Sequence, residues 1–159
     1  MAIRRAREKD IPGIMELLLQ VGMVHHLGRP DLFKGQATKY NAQELAGIFG
    51  DETRPVFVMT DEEDKKVLGH AFCMFETIED SQLLMPRKTL YIDDICVDEK
   101  CRGRDVGRSL FEHVKQFAAA QGCYNITLNV WSCNPGAMKF YERLGLVPYK
   151  VGMEMILED

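Results

Sequence analysis

Apolar residues along this chain switch between two spacings, and the switches mark its elements. Ala2 to Ala6 reads as a short first strand. Ile14, Leu17, Leu18 and Val21 then recur at helical intervals, behind an Asp10 placed to cap a helix that opens with Pro12. Gly22 interrupts that period, and MVHHLGRPDLFKGQATKY follows as a loop of about twenty residues, a length usually tied to function or mobility. Asn41 with Glu44 is a capping-box signature for a second helix ending at Gly50. PVFVMTD (55–61) and KVLGHAFCMFET (66–77) read as a hairpin around the charged turn Glu62-Glu63-Asp64-Lys65. After a polar connection comes a strand at 88–97, then a helix from Val106 whose stripe runs through Leu110, Val114 and Phe117 and stops at Gly122. YNITLNVW (124–131) is another strand, and Asn134-Pro135 opens a helix that ends at Leu144-Gly145. Residues 146–157 hold enough apolar positions for one or two closing strands. No repeat or linker divides the pattern, so a single α/β domain is expected over residues 1–159.

One strand breaks its own alternation. Leu90 and Ile92 set one phase, and Ile95 and Val97 set the other. The flip falls across Asp93-Asp94, as expected where a β-bulge inserts an extra residue. A strand buried on both faces would look similar, but two carboxylates in its middle would make that costly. The loop after it, CRGRDVG, feeds directly into a helix N-terminus, where unpaired N–H groups and the helix dipole favour an anion such as phosphate. It has neither the Gly-Lys-Ser/Thr ending of a P-loop nor the G-x-G-x-x-G of a Rossmann turn. Taken alone, it reads equally well as an ordinary turn with Arg102 and Arg104 in solvent.

Composition narrows the class. The 159 residues are 46% hydrophobic and 28% charged, ordinary for a soluble globular domain. A net charge of −4 disfavours nucleic acid as partner and suits a cationic small molecule. Five cysteines without a C-x-x-C pair, and no secretory leader, read as reduced thiols of a cytoplasmic protein with no metal centre. No apolar run approaches membrane-spanning length, so no membrane partner is expected. His25 and His26 are adjacent without a third ligand and read as groove-lining or surface residues.

The segment N-P-G-A-M-K-F-Y-E-R-L-G-L (134–146), downstream of R-G-R-D-V-G (102–107), resembles the GNAT superfamily of acetyl-CoA-dependent N-acetyltransferases. The resemblance covers nearly the whole chain. It implies a mixed, mostly antiparallel sheet splayed between its fourth and fifth strands, flanked by about four helices, with acetyl-CoA in the gap. It also implies site residues. Ile95, Cys96 and Val97 would pair with the pantetheine arm through their backbones. Gly103, Arg104, Asp105, Val106, Gly107 and Arg108 would hold the pyrophosphate, with charge from Arg102 and Arg104. Asn134, Ala137 and Tyr141 would line the cofactor on the last helix. The chain departs from the common R-x-x-G-x-G pattern at Asp105, which stands where a glycine is usual. A carboxylate there repels a pyrophosphate but suits the first turn of a helix.

The strand Y-I-D-D-I-C-V is further similar to the Y-x-E-D-x-x-V strand of diamine acetyltransferases within the superfamily. Asp93 matches the residue that helps deprotonate the amine, one carbon shorter, and Asp94 matches the aspartate after it. The implied reaction is direct transfer to a primary amine of a small, polyamine-like acceptor, with Tyr141 protonating the departing thiolate. Acceptor contacts are expected from His25, His26, Asp93 and Asn129, and acceptor selection from residues 22–40. A covalent intermediate on Cys96, a peptide amine as acceptor, and a non-catalytic acyl-CoA sensor are the rival readings. Asp93 and Asp94 as salt-bridged structural residues, and Tyr141 as a core aromatic, also stay open. The resemblance leaves a homodimer open as the assembly.

Overall fold

The computed structural model describes residues 1–158 and divides into two compact units, residues 1–129 and residues 130–159. The first unit opens with β1 (Ala2–Arg5) and a short 3-10 turn at Glu8–Asp10, followed by α1 (Ile11–Gly28) and α2 (Ala42–Phe49). Then come β2 (Val56–Thr60), β3 (Val67–Ile78), β4 (Arg87–Val97), α3 (Val106–Ala120) and β5 (Asn125–Leu128). The strands form one sheet in the order β1-β2-β3-β4-β5, antiparallel throughout except for the parallel β4–β5 pair. A mixed, mostly antiparallel five-stranded sheet together with four helices is the α/β composition expected from the sequence.

Period-two alternation gives each sheet face its own helices. On one face, Val56, Val58, Phe72 and Cys96 pack with Ile14, Leu17 and Leu18 of α1 and Leu45 and Ile48 of α2. On the other, Phe57 meets Phe117 of α3 edge-on at 5.1 Å. A Cβ on Gly69 of β3 would stand 2.9 Å from Val106 and Leu110, so α3 lies directly against the sheet there.

Three local expectations are corrected. The first helix does not stop at Gly22. A Cβ on Gly22 would lie 2.4 Å from the Ala37 carbonyl oxygen, so this glycine admits a close backbone crossing inside α1. The connection to α2 is therefore residues 29–41. Asp10 makes no side-chain cap to α1. Its carboxylate accepts from both terminal Arg4 nitrogens at 2.7 and 2.9 Å and from the Arg7 N–H at 2.8 Å. In the second unit, α4 spans Pro135–Arg143, and residues 146–158 form no strand. Val147, Tyr149, Val151, Met153 and Met155 keep the alternation of a strand, yet all are exposed. Alternation alone makes no strand; a ladder partner does, and this unit holds none among the described residues.

Candidate active site

The expected bulge lies in β4. Phe72 of β3 stands opposite Asp94 and Cys73 opposite Ile92, so Asp93 is the inserted residue. Leu90, Ile92, Ile95 and Val97 thereby face the Gly69–Ala71 side of the sheet, where α3 packs. The second consequence concerns the acids. Consecutive strand residues normally point to opposite faces. Here the bulge turns Asp93 and Asp94 to the same face, toward α1 and the 29–41 connection, as their partners show.

Asp93 is held from two sides. Lys39 Nζ lies 2.6 Å from its Oδ1, and the Tyr40 hydroxyl donates to Oδ2 at 2.8 Å. Arg54 Nη2 donates to the same hydroxyl oxygen at 3.0 Å. Burial, reinforced by the Asp93 bond, pushes the Tyr40 phenol up to about 12. Tyr40 therefore keeps its proton at neutral pH and serves Asp93 as a donor. The Asp93 side chain is only 13% exposed, whereas that of Lys39 is 49% exposed. Beside this network lies a recess of about 280 Å³ lined by Tyr40, Glu44, Gly47, Ile48, Asp51 and Arg54.

Asp94 pairs with a histidine that the sequence hid in an apolar strand. His70 Nε2 lies 2.8 Å from Asp94 Oδ2, and the imidazole is fully buried. Its Nδ1 has no protein partner among the described residues. His25, in the last turns of α1, lies within the field of Asp94 and Lys39. Burial is the largest influence and holds its pKa below the usual histidine value. Asp94 pulls the other way, and the Lys39 charge adds to the lowering. His26 is differently employed, with Nδ1 2.7 Å from the Phe33 carbonyl. Asn129, just past β5, donates to the Tyr91 hydroxyl at 3.1 Å.

Past the bulge the sheet opens. β5 pairs with β4 only from Thr89 to Ile92. From Asp93 to Val97, β4 has no strand partner on that edge among the described residues. Cys96 itself points into the core, with Sγ 3.4 Å from the Leu17 carbonyl and its thiol pushed up to about 12, foremost by burial. A thiol so far from ionising is a poor nucleophile, which disfavours a covalent intermediate.

β4 continues through a short 3-10 turn into the Arg-Gly loop. Arg102, Gly103, Arg104 and Asp105 are exposed, as is Arg108, while Val106 and Gly107 are buried at the start of α3. Asp105 occupies the left-handed region (φ 58°, ψ 20°) as the residue before the helix. That conformation is native to glycine and next most open to Asn and Asp, which accounts for the substitution physically. The Asp105 side chain does not cap α3. The N–H groups of the first turn, which no helix can satisfy internally, are left for another partner.

In the second unit, Asn134 caps α4 by accepting from the Ala137 N–H at 3.3 Å. Tyr141 is half-buried on α4, with its ring 5.2 Å from that of Phe140. Among the described residues no cluster of three His, Cys, Asp or Glu is placed to hold a metal. Among those residues, too, no helix is long and apolar enough to cross a membrane.

Comparison with known proteins sets this geometry in a family. The model for the acetyltransferase (GNAT) family matches residues 22–146. The bovine (Bos taurus) thialysine N-epsilon-acetyltransferase is 33% identical over 155 residues, covering 90% of this chain and 82% of that protein. A probable glucosamine 6-phosphate N-acetyltransferase from Drosophila melanogaster is 24% identical over 155 residues, covering 92% of this chain. The match spans 61% of the Drosophila protein's length, less than two thirds. A crystal structure of a mutant BH1408 protein from Bacillus halodurans superposes with a TM-score of 0.94 at 31% identity, covering 99% of this chain and all of the other. With its bulged fourth strand, its opening beside β5 and its match to the family model over most of its length, the chain belongs to the acetyltransferase (GNAT) family.

Proposed function

We propose that this protein transfers an acetyl group from acetyl-CoA to a primary amine of a small acceptor by direct attack. One observation carries the reading: the bulge at Asp93 sets two carboxylates on one face of β4, and the adjoining edge of the strand, residues 93–97, has no strand partner among the described residues. That edge offers free N–H and C=O groups at Ile95 and Val97 for the amide-rich pantetheine arm, while Cys96 between them turns its backbone groups to His70 of β3. The uncapped first turn of α3, with exposed Arg102 and Arg104, offers a seat for the pyrophosphate. When bound, acetyl-CoA supplies an acyl thioester, an electrophilic carbonyl with a thiolate leaving group.

The protein's own residues do the rest. An alkylammonium has a pKa near that of lysine, about 10.4, so almost none is nucleophilic at pH 7. Asp93 attracts the cation and takes a proton from it, directly or through water. Tyr40 holds Asp93 in place by donating to Oδ2. Backbone N–H groups beside the bulge polarise the carbonyl. Tyr141 delivers a proton to the thiolate. The two named relatives act, by their names, on a thialysine amine and on an amino sugar phosphate, which supports a small amine as acceptor.

The test pairs binding with turnover. Calorimetry with CoA is expected to show one site, and thiol release on a panel of diamines, amino acids, amino sugars and short peptides is expected to find an acceptor. Asp93→Asn should raise acceptor KM and lower kcat, since it weakens both cation attraction and proton removal. Tyr141→Phe should lower kcat about 10²-fold while CoA affinity holds. Failure to bind CoA, or wild-type turnover in both variants, overturns the reading.

A further inference from the structure

We propose that Lys39 is an acetylation site of this protein, modified within its own molecule by an acyl-CoA thioester. The proposal rests on the reading above and goes beyond it. If Asp93 is where an alkylammonium is seated and deprotonated, the structure already seats one. Lys39 Nζ lies 2.6 Å from Asp93 Oδ1, while Tyr40 binds the other carboxylate oxygen at 2.8 Å. A lysine side chain ends in a primary alkylammonium, the chemical class assigned to the acceptor. Its side chain is half-exposed and lies on the connection between α1 and α2, so the amine can leave the carboxylate once its proton is gone.

Other lysine ion pairs in the molecule lack this setting. Lys65 pairs with Glu63 in the hairpin turn, both more than 70% exposed. Lys66 stands 3.5 Å from Asp98, beyond the C-terminal end of β4. Only Asp93, among the carboxylates in these pairs, is the inserted residue of a bulge beside an unpaired strand edge.

The step balances. Lys39 Nζ gives one proton to the Asp93 carboxylate, which passes it to water. The neutral nitrogen attacks the thioester carbonyl carbon, a C–N bond forms, and the C–S bond breaks with its electron pair on sulfur. The second nitrogen-bound proton ends on that thiolate. The products are Nε-acetyl-lysine at position 39, free CoA thiol and one proton in solvent. Being intramolecular, the reaction benefits from a high effective concentration of the amine.

The experiment uses the full chain with isotopically labelled acetyl-CoA and no added acceptor, read by mass spectrometry of proteolytic peptides. Lys39 is expected to take up label at least tenfold faster than exposed Lys34 or Lys65, at a first-order rate independent of protein concentration. Asp93→Asn should cut that rate at least tenfold. Lys39→Arg, which retains the cation, should abolish label at this position while calorimetry shows unchanged CoA binding. Labelling of Lys39 no faster than Lys65, a rate that scales with protein concentration, or an unlabelled Lys39 in a preparation that acetylates a small amine overturns the proposal alone. Absence of CoA binding overturns the proposed function as well, so the two failures are distinguishable.

Discussion

At the scale of single residues, Tyr40 and Lys39 are the additions that folding makes to the site. Neither carries a sequence signal, because each lies more than fifty positions from Asp93 in the chain, with separations of 53 and 54 residues. His70 was equally invisible: inside an apolar run a histidine reads as core, and only the fold shows its bond to Asp94. The acids were legible for the opposite reason, since an alternation that flips phase is local information. Tyr40 gives a direct test. Its ring packs on Phe72 at 5.6 Å and lies under the Arg54 guanidinium, so Tyr40→Phe keeps the packing and removes only the hydroxyl. The change deletes a hydrogen bond to a carboxylate, for which about 1.5–3 kcal/mol is the usual range, and half-burial argues for the lower end. The expected outcome is a stability loss of about 1–2 kcal/mol by denaturant titration. Acceptor KM should rise with it, while CoA affinity stays constant. Unchanged acceptor kinetics would show that Asp93 needs no help from Tyr40.

At the scale of elements, the sequence was most legible where the signal is short-range. The capping box at Asn41 and Glu44 forms as read, with both reciprocal bonds present at 2.8 and 3.0 Å. The cap of α4 by Asn134 is likewise local. The end of α1 was not, because Gly22 carries a tertiary meaning that a helix-breaker reading cannot see. Gly22→Ala separates the two meanings. On an isolated helix the substitution gains up to about 1 kcal/mol from propensity. Here the new Cβ would meet the Ala37 carbonyl at 2.4 Å, and a backbone atom cannot rotate aside. The clash should win, with a net loss of about 1–3 kcal/mol. The displaced segment carries Lys39 and Tyr40 two and three positions further on, so acceptor KM should change along with Tm. A variant that melts higher than the wild type would mean that the connection gives way freely.

At the scale of the whole molecule, the fold fixes the protonation of several groups, and the sign of each sets how stability varies with pH. Burial holds His113 below the usual histidine value, and it is also the largest influence in lowering His25. In the unfolded chain both protonate near pH 6.5, so below that the unfolded state binds more protons and stability falls with pH. Cys73 and Cys96 act at the other end. Burial is the main cause in pushing both thiols up to about 12, whereas unfolded thiols ionise near 8.5. Above that pH the unfolded chain sheds protons that the native state retains, and stability falls as pH rises. The loss approaches about 1.4 kcal/mol per pH unit for each thiol. Stability is therefore expected to be greatest between roughly pH 6.5 and 8.5 and to decline on both sides. Denaturant titrations from pH 5 to 10.5 check this. Cys96→Ala should lower stability at pH 7.5 by removing a buried side chain, yet flatten the alkaline limb in part, because Cys73 and Cys123, whose thiols burial also raises, keep titrating. An alkaline limb unchanged in that variant would assign the loss to groups other than the buried cysteines.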